Sequence, residues 1–212
     1  VATVYVSDTH FAHANIIKYC SRPFATVEEM NLRMLLAIRA ADDAGHRIIH
    51  AGDLCYGRGK ESWRAMMQPL RNRDQHKIVL GNHDHGLRDA EGQEQYGRWF
   101  GEIVGMRVSW RSHSLVVEDE LFGKPVRVLV SHKPQRRLGG CDFNVYGHVH
   151  NSLWDDAQRL AARQERNRHR EEEPDDWAAR SQQHLCACVE VTEYQALPLE
   201  ELLAVNRKLV PV

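Results

Sequence analysis

Five times along this 212-residue chain an apolar run stops at a Ser or Gly, and a His, an Asp or both follow at once. Val1 to Ser7 runs into Asp8-Thr9-His10, Arg47 to His50 into Gly52-Asp53, and Lys77 to Leu80 into Gly81-Asn82-His83-Asp84. Val126 to Ser131 then runs into His132, and Asn144 to Gly147 into His148-Val149-His150. Short apolar runs of this kind form buried strands, and a glycine at the stop lets the backbone turn sharply. The chain must therefore fold so that five strand ends carry metal-ligating side chains.

The segments between those ends set the fold class. Thr26 followed by Glu28 and Glu29 marks a helix start. Met30, Met34, Leu35 and Ile38 recur at helical spacing until Asp42-Asp43-Ala44-Gly45 stops the helix, and the stripe is core. Glu61 to Leu70 reads as a second helix broken by Pro69, and Tyr56 to Lys60 as a flexible turn. Strands alternating with helices imply parallel βαβ units, in which ligands collect beyond the carboxyl ends of the strands. From Ile103 onward the pattern turns β-rich: Met106 to Trp110, Ser114 to Glu118 and Val126 to Val130 alternate with period two around a Phe122-Gly123-Lys124-Pro125 turn. Asp155 to Asp176 is dense in charge with little apolar periodicity, and is expected to be a solvent-facing insertion. Cys186 to Val191 is expected to be a last strand, and Leu199 to Val205 a short closing helix.

Length and a 42% hydrophobic content suit one domain over 1–212. The net charge of −1 argues against general attraction to nucleic acid or anionic membrane. Five cysteines without zinc-ribbon spacing read as free thiols in a reducing compartment. No run approaches the ~20 apolar residues of a membrane span, and the start is too short for a signal peptide. A soluble cytoplasmic protein, monomer or homodimer, is the expectation.

Asp8, His10, Asp53, Asn82, His132, His148 and His150 supply imidazoles, carboxylates and one amide oxygen. That mixed set suits Mn, Fe, Zn, Ni or Co at two adjacent sites, with manganese placed first. Asp53, alone on its strand end, is the natural bridge between two ions.

Asp8-x-His10, Gly52-Asp53, Gly81-Asn82-His83-Asp84, His132 and Gly147-His148-x-His150 together resemble the signature of the calcineurin-like metallophosphoesterases, in the right order. The opening Ser7 to Ile17 further resembles a bacterial and phage subgroup. The resemblance implies an α/β fold, a four-layer α/β/β/α sandwich with mixed sheets. It implies one metal held by Asp8, His10, Asp53 and His150, and another by Asp53, Asn82, His132 and His148. Two such ions about 3.5–4 Å apart share a hydroxide for in-line attack on phosphorus. His83 would stabilise the transition state or protonate the leaving oxygen. Asp84, grouped with it at the catalytic turn, would support it or fix the turn.

Four cationic or imidazole residues are expected on the substrate side: His13, Arg58, Arg136 and Arg137. His50 reads as a strand residue, His85 as a helix start and Cys55 as packing. The expected activity is hydrolysis of a small phosphoester, a nucleotide among the candidates, with diesters favoured because little chain is left to build a closed cap. A silent metal-binding scaffold, a phosphomonoesterase and a nuclease are the alternatives. No ligand of the signature is missing, as a scaffold would require. The charge and the single domain give a nuclease no basic track, although a short single strand could still fit.

Overall fold

The structure, a computed structural model, describes residues 1–56, 70–71, 75–84, 109–111, 114–150 and 182–209. The expected helix at 61–70 (apart from Leu70), His85 and the charged insertion at 155–176 lie outside these residues.

Two mixed sheets carry the fold. β1 (Thr3–Val6), β2 (Arg47–His50), β3 (Lys77–Val79) and β4 (Ser109–Arg111) run parallel, and β9 (Leu197–Pro198) adds antiparallel to β1, giving the order β4-β3-β2-β1-β9. The second sheet, in the order β5-β6-β7-β8, holds β5 (Ser114–Leu121), β6 (Lys124–Ser131), β7 (Phe143–Tyr146) and β8 (His184–Cys186). Only its β5–β6 pair is antiparallel. All five predicted strand ends fall at real strand ends.

The sheets pack face to face through alternate residues: Tyr5, Ile49 and Val79 from one, Val117, Val128, Val145 and Leu185 from the other. The opposite face of the first sheet, Val4, Val6, Ile48 and Ile78, packs on the helical layer. That layer is α1 (Ala14–Tyr19) and α2 (Val27–Asp43), with Met30, Met34, Ile38 and Ala41 turned inward as the apolar stripe predicts. Thr26 caps α2 by accepting the Glu29 N–H at 3.2 Å, and Glu29 accepts the Ala25 N–H at 2.9 Å. Such a reciprocal cap contributes about 1 kcal/mol. α3 (Leu199–Leu209) closes the structure against β1, β8 and β9. Three layers, helices on sheet on sheet, are thus present among the described residues; the expected fourth lies outside what they show.

Three sequence expectations need correction. Ser109–Arg111 belongs to the edge of the first sheet, parallel to β3, and not to the β-rich second half. The strand placed at Cys186 to Val191 is His184–Cys186; beyond it Ala187 to Tyr194 turn back toward the strand ends, with Glu193 and Tyr194 at positive φ. α1 was not foreseen: it has six residues, no side-chain cap, and Ile16 as its buried position, so its periodic signal is faint. The Phe122-Gly123 turn is a two-residue hairpin with both residues at positive φ, the geometry that matches strand twist.

Candidate metal centre

The carboxyl ends of β1, β2, β3, β6 and β7 meet at one rim. There Asp8, His10, Asp53, His148 and His150 all adopt left-handed backbone, with φ of 57°, 48°, 53°, 74° and 50°. Each such non-glycine residue costs about 1–3 kcal/mol, and a cluster of them marks a place where the fold pays for function. The loops also press close together. A Cβ on Gly52, itself at φ 104°, would sit 2.5 Å from His132 Nδ1, and one on Gly147 would strike the Ser7 and Asp8 side chains.

Asp8 shows how the rim points its ligand atoms. Its Oδ2 accepts from Ser7 Oγ at 2.5 Å and from the His148 N–H at 2.9 Å. Its Oδ1 is buried with no hydrogen-bond partner, as is His10 Nε2. These two atoms are 3.8 Å apart, His150 Nε2 lies 3.5 Å from Asp8 Oδ1, and His10 Nε2 lies 3.4 Å from Asp53 Oδ2. Buried polar atoms are normally paired. A buried carboxylate oxygen and a buried imidazole nitrogen converging without partners are part of a donor set for a cation, and Asp8, His10 and His150 form one group of that kind.

On the far side of Asp53, three atoms make a second triangle. Asn82 Oδ1 is 2.8 Å from both His132 Nε2 and His148 Nδ1, which are 3.3 Å from each other. His132 donates its Nδ1–H to the Ala51 carbonyl at 3.0 Å, which turns Nε2 toward Asn82 and Asp53. Asp53 links the two sides. Its Oδ1 accepts the His83 N–H at 2.7 Å, and its Oδ2 is equidistant, 3.4 Å, from His10 Nε2 and His132 Nε2.

Behind the cluster stands a layer of fixed partners. Asp84 accepts the N–H groups of Asp53 at 2.9 Å, Leu54 at 3.0 Å and Gly81 at 2.7 Å. With both oxygens so occupied it ties the β2 and β3 loops together, which narrows its expected place at the catalytic turn to positioning. His50 accepts the Gly52 N–H at Nδ1 (3.2 Å) and donates from Nε2 to Thr9 Oγ1 (3.0 Å), whose hydroxyl donates to the Leu54 carbonyl (2.8 Å). Although it ends β2 as expected, it also braces two ligand loops. Neither Glu190 nor Arg22 was anticipated. Glu190 Oε1 accepts His150 Nδ1–H at 2.9 Å, and buried Arg22 holds that oxygen from Nε at 2.8 Å and Nη2 at 2.7 Å. Arg22 also donates to the carbonyls of Asp8 (2.6 Å) and Thr9 (2.9 Å).

The charges follow from this packing. Burial pushes His10 down to about 2 and His148 down to about 3, so both rings are neutral near pH 7. Burial also opposes a charged His132, but Asp53 and Asp8 outweigh it and lift it to about 9. Asp53, despite burial, stays well below the usual carboxylate range because His132 and His10 face it. Glu190 is likewise held at about 2, against its burial, by His150 and Arg22. Asp84 is raised to about 6 by burial and by the Asp53 charge. Asp53, the carboxylate between the two sides, is thus ionised, as a cation ligand must be.

The structure therefore brings Asp8, His10, Asp53, Asn82, His132, His148 and His150 into one continuous cluster with His83 at its edge. His83 is exposed, its ring centroid 5.1 Å from that of His10. His13 is buried beside His10, Nδ1 to Nδ1 3.4 Å, and burial with the neighbouring His83 lowers it. Arg136 and Arg137 are exposed on the loop after His132, and Arg58 lies outside the described residues. Exposed Lys133 was overlooked; its charge reaches His148. All five cysteines are buried thiols, none in a disulfide, and Cys55 packs in the core.

Parallel strand ends that present carboxylates and imidazoles around a candidate cation site define a metallohydrolase type of architecture. The model of the calcineurin-like phosphoesterase superfamily domain matches residues 2–163. The chain belongs to the calcineurin-like phosphoesterase superfamily, and so to a group of hydrolases acting on phosphate esters. An uncharacterized protein of Methanocaldococcus jannaschii is 39% identical over 79 residues, covering 37% of this chain and 44% of that relative; the match thus spans less than half of the relative's length. A crystal structure of a protein of unknown function from Aquifex aeolicus is similar in fold, with a TM-score of 0.59 and 20% identity over 99% of both chains. Among the described residues no helix is long and apolar enough to cross a membrane.

Proposed function

We propose that this chain is a phosphoesterase with a two-ion centre bridged by Asp53, and that it prefers phosphodiesters to monoesters. The observation that carries the two-ion reading is the position of Asp53 Oδ2, 3.4 Å from an imidazole of each side. Asp8, His10 and His150 would hold one divalent ion with Asp53; Asn82, His132 and His148 would hold the other. Bound there, the ions would offset phosphate charge and acidify a water. The chain's own residues do the rest. His83, anchored by its N–H to Asp53 and exposed at the ring, is placed to give a proton to the leaving oxygen. Asp84 keeps the His83 turn fixed to the Asp53 loop.

The diester preference rests on charge. Among the described residues, Arg22 is committed to Glu190 and to two carbonyls, while Lys133 is the cation whose field reaches His148. A monoester dianion would gain little further neutralisation from such a rim, whereas a diester carries one charge fewer. With manganese saturating, a diester should exceed the monoester of the same leaving group in kcat/KM by about tenfold, roughly 1.4 kcal/mol in the transition state. A better monoester would overturn the preference, and no turnover of either would overturn the activity.

A further inference from the structure

We propose that Tyr56, stacked on His13 beside the candidate metal centre, is the platform for a flat aromatic ring carried by the substrate, so that the substrates are nucleotide-type phosphoesters. This rests on the phosphoesterase reading and adds what the non-phosphate arm must be.

Tyr56 and His13 lie face to face, with centroids 3.9 Å apart and planes 9° from parallel. His13 is 6% exposed and Tyr56 49%, which is what one sealed face and one open face leave. Single exposed apolar residues are ordinary and carry no meaning by themselves. What sets Tyr56 apart is that its backbone is held and its ring is stacked on a buried partner. Its N–H donates to the Phe11 carbonyl at 2.9 Å, and the Phe11–Cys55 bridge pins the same stretch to the Asp8 to His13 loop. His13 in turn rests on His10. Tyr19, 72% exposed, stands edge-on to His13 at 6.2 Å and 76° and adds a second aromatic ring at the same histidine. A ring docking there would lose little to ordering of the protein, the condition under which stacking is worth most.

The position matches the chemistry of a nucleotide. The Tyr56 centroid is 6.4 Å from that of His83, and His83 is 5.1 Å from His10. A phosphate at the ligand cluster would thus have its ester oxygen by His83 and, one sugar further out, its base over Tyr56. Stacking reads the π face and not the hydrogen-bonding edge, so all four bases should serve. The feature needed is a flat ring on a short spacer, which an aryl phosphate without a sugar shares in part.

The test compares substrate pairs in the manganese-loaded full chain: a cyclic nucleotide against a glycerol-based phosphodiester, with 4-nitrophenyl phosphodiester as the sugarless aromatic. In Tyr56→Ala and Tyr56→Leu, the ratio of kcat/KM for the nucleotide to that for the glycerol diester should fall between about fivefold and 150-fold, the range of one base stacked on one aromatic ring. Tyr56→Phe should keep the ratio of the parent. An equal loss on both substrates, or a fall confined to the aryl diester, would overturn the nucleotide platform. Calorimetric binding of adenosine monophosphate and inorganic phosphate separates this from failure of the phosphoesterase reading. Even if no ester is turned over, the parent should bind the nucleotide at least about fivefold more tightly than phosphate, and Tyr56→Leu should abolish the difference. Equal affinities in the parent would sink the platform whatever the activity.

Discussion

On one side of Asp53 two candidate ligands are fully buried and the third is braced from behind; on the other, two are half-buried and lean on each other and on buried His132. Asp8 and His10 are fully buried, and His150 is locked through Glu190 to Arg22, which also grips the Asp8 and Thr9 carbonyls. Asn82 and His148 are half-buried, and their closest polar neighbours are one another and His132. The first side has its geometry set by the protein before any ion arrives. The second is free to adjust, and its shape depends more on what binds. Preorganised ligands give tight and selective binding, while adjustable ones give turnover room to exchange water and product.

His83 belongs to neither side, so changing it should separate holding from chemistry. It meets the cluster through a backbone N–H, which substitution leaves in place. His83→Ala should keep both ions by elemental analysis yet lose about 10²–10⁴-fold in kcat with an alkoxide leaving group, and much less with an activated phenolate. An equal loss on both would leave His83 only an electrostatic role.

Asp53 is the hinge of the comparison. In Asp53→Asn both ions should weaken, by more than about a hundredfold, the upper end of what removing an outer partner costs. Titration of the metal-depleted protein with manganese would measure it. Two ions held as tightly as in the parent would rule out the bridge.

Glu190 tests the braced side alone. Glu190→Gln keeps an acceptor for His150 Nδ1–H but removes the charge that aligns the ring and engages Arg22. One ion should weaken about 10- to 100-fold, the other staying as it was. If both weakened alike, the two sides would be one network with no braced half.

The two sides were not equally legible in the sequence. Every residue of the cluster announces itself, because an apolar strand that stops at Ser or Gly and gives way to His or Asp is a local signal. The braces do not. Arg22 lies between Ser21 and Pro23 in what looks like a break, and its burial at 4% depends on packing against residue 190. Glu190 had a weaker signal that was passed over: Leu185 to Val189 is apolar and a carboxylate follows, although without the Ser or Gly stop of the other five ends. Extending the strand to Val191 hid it, since a charged residue inside a strand reads as solvent-facing. The parallel pairing of β3 with β4 was invisible for a different reason, because three residues hold too little pattern to choose a sheet. The left-handed backbone at five cluster residues follows from loops crowding one another, which no single stretch reveals.

The smallest expected effect lies on the adjustable side. Asn82 offers a neutral amide oxygen, 2.8 Å from each of two imidazoles that would remain after its loss. Losing one such uncharged contact costs about 1 kcal/mol, so Asn82→Ala should weaken one ion about fivefold, the ion that Glu190→Gln spares. The double variant then asks whether the sides talk. Glu190 and Asn82 share no partner among the described contacts; Asp53 stands between their halves, and the His148 N–H bonded to Asp8 is a second link. Effects at sites without shared partners add within about 0.5 kcal/mol. Calorimetric affinities for both ions in the two single variants and the double would show additivity if Asp53 is a passive bridge. A departure of more than about 1 kcal/mol would show that moving one ion repositions the carboxylate for the other, and the braced side would then be steering its adjustable neighbour.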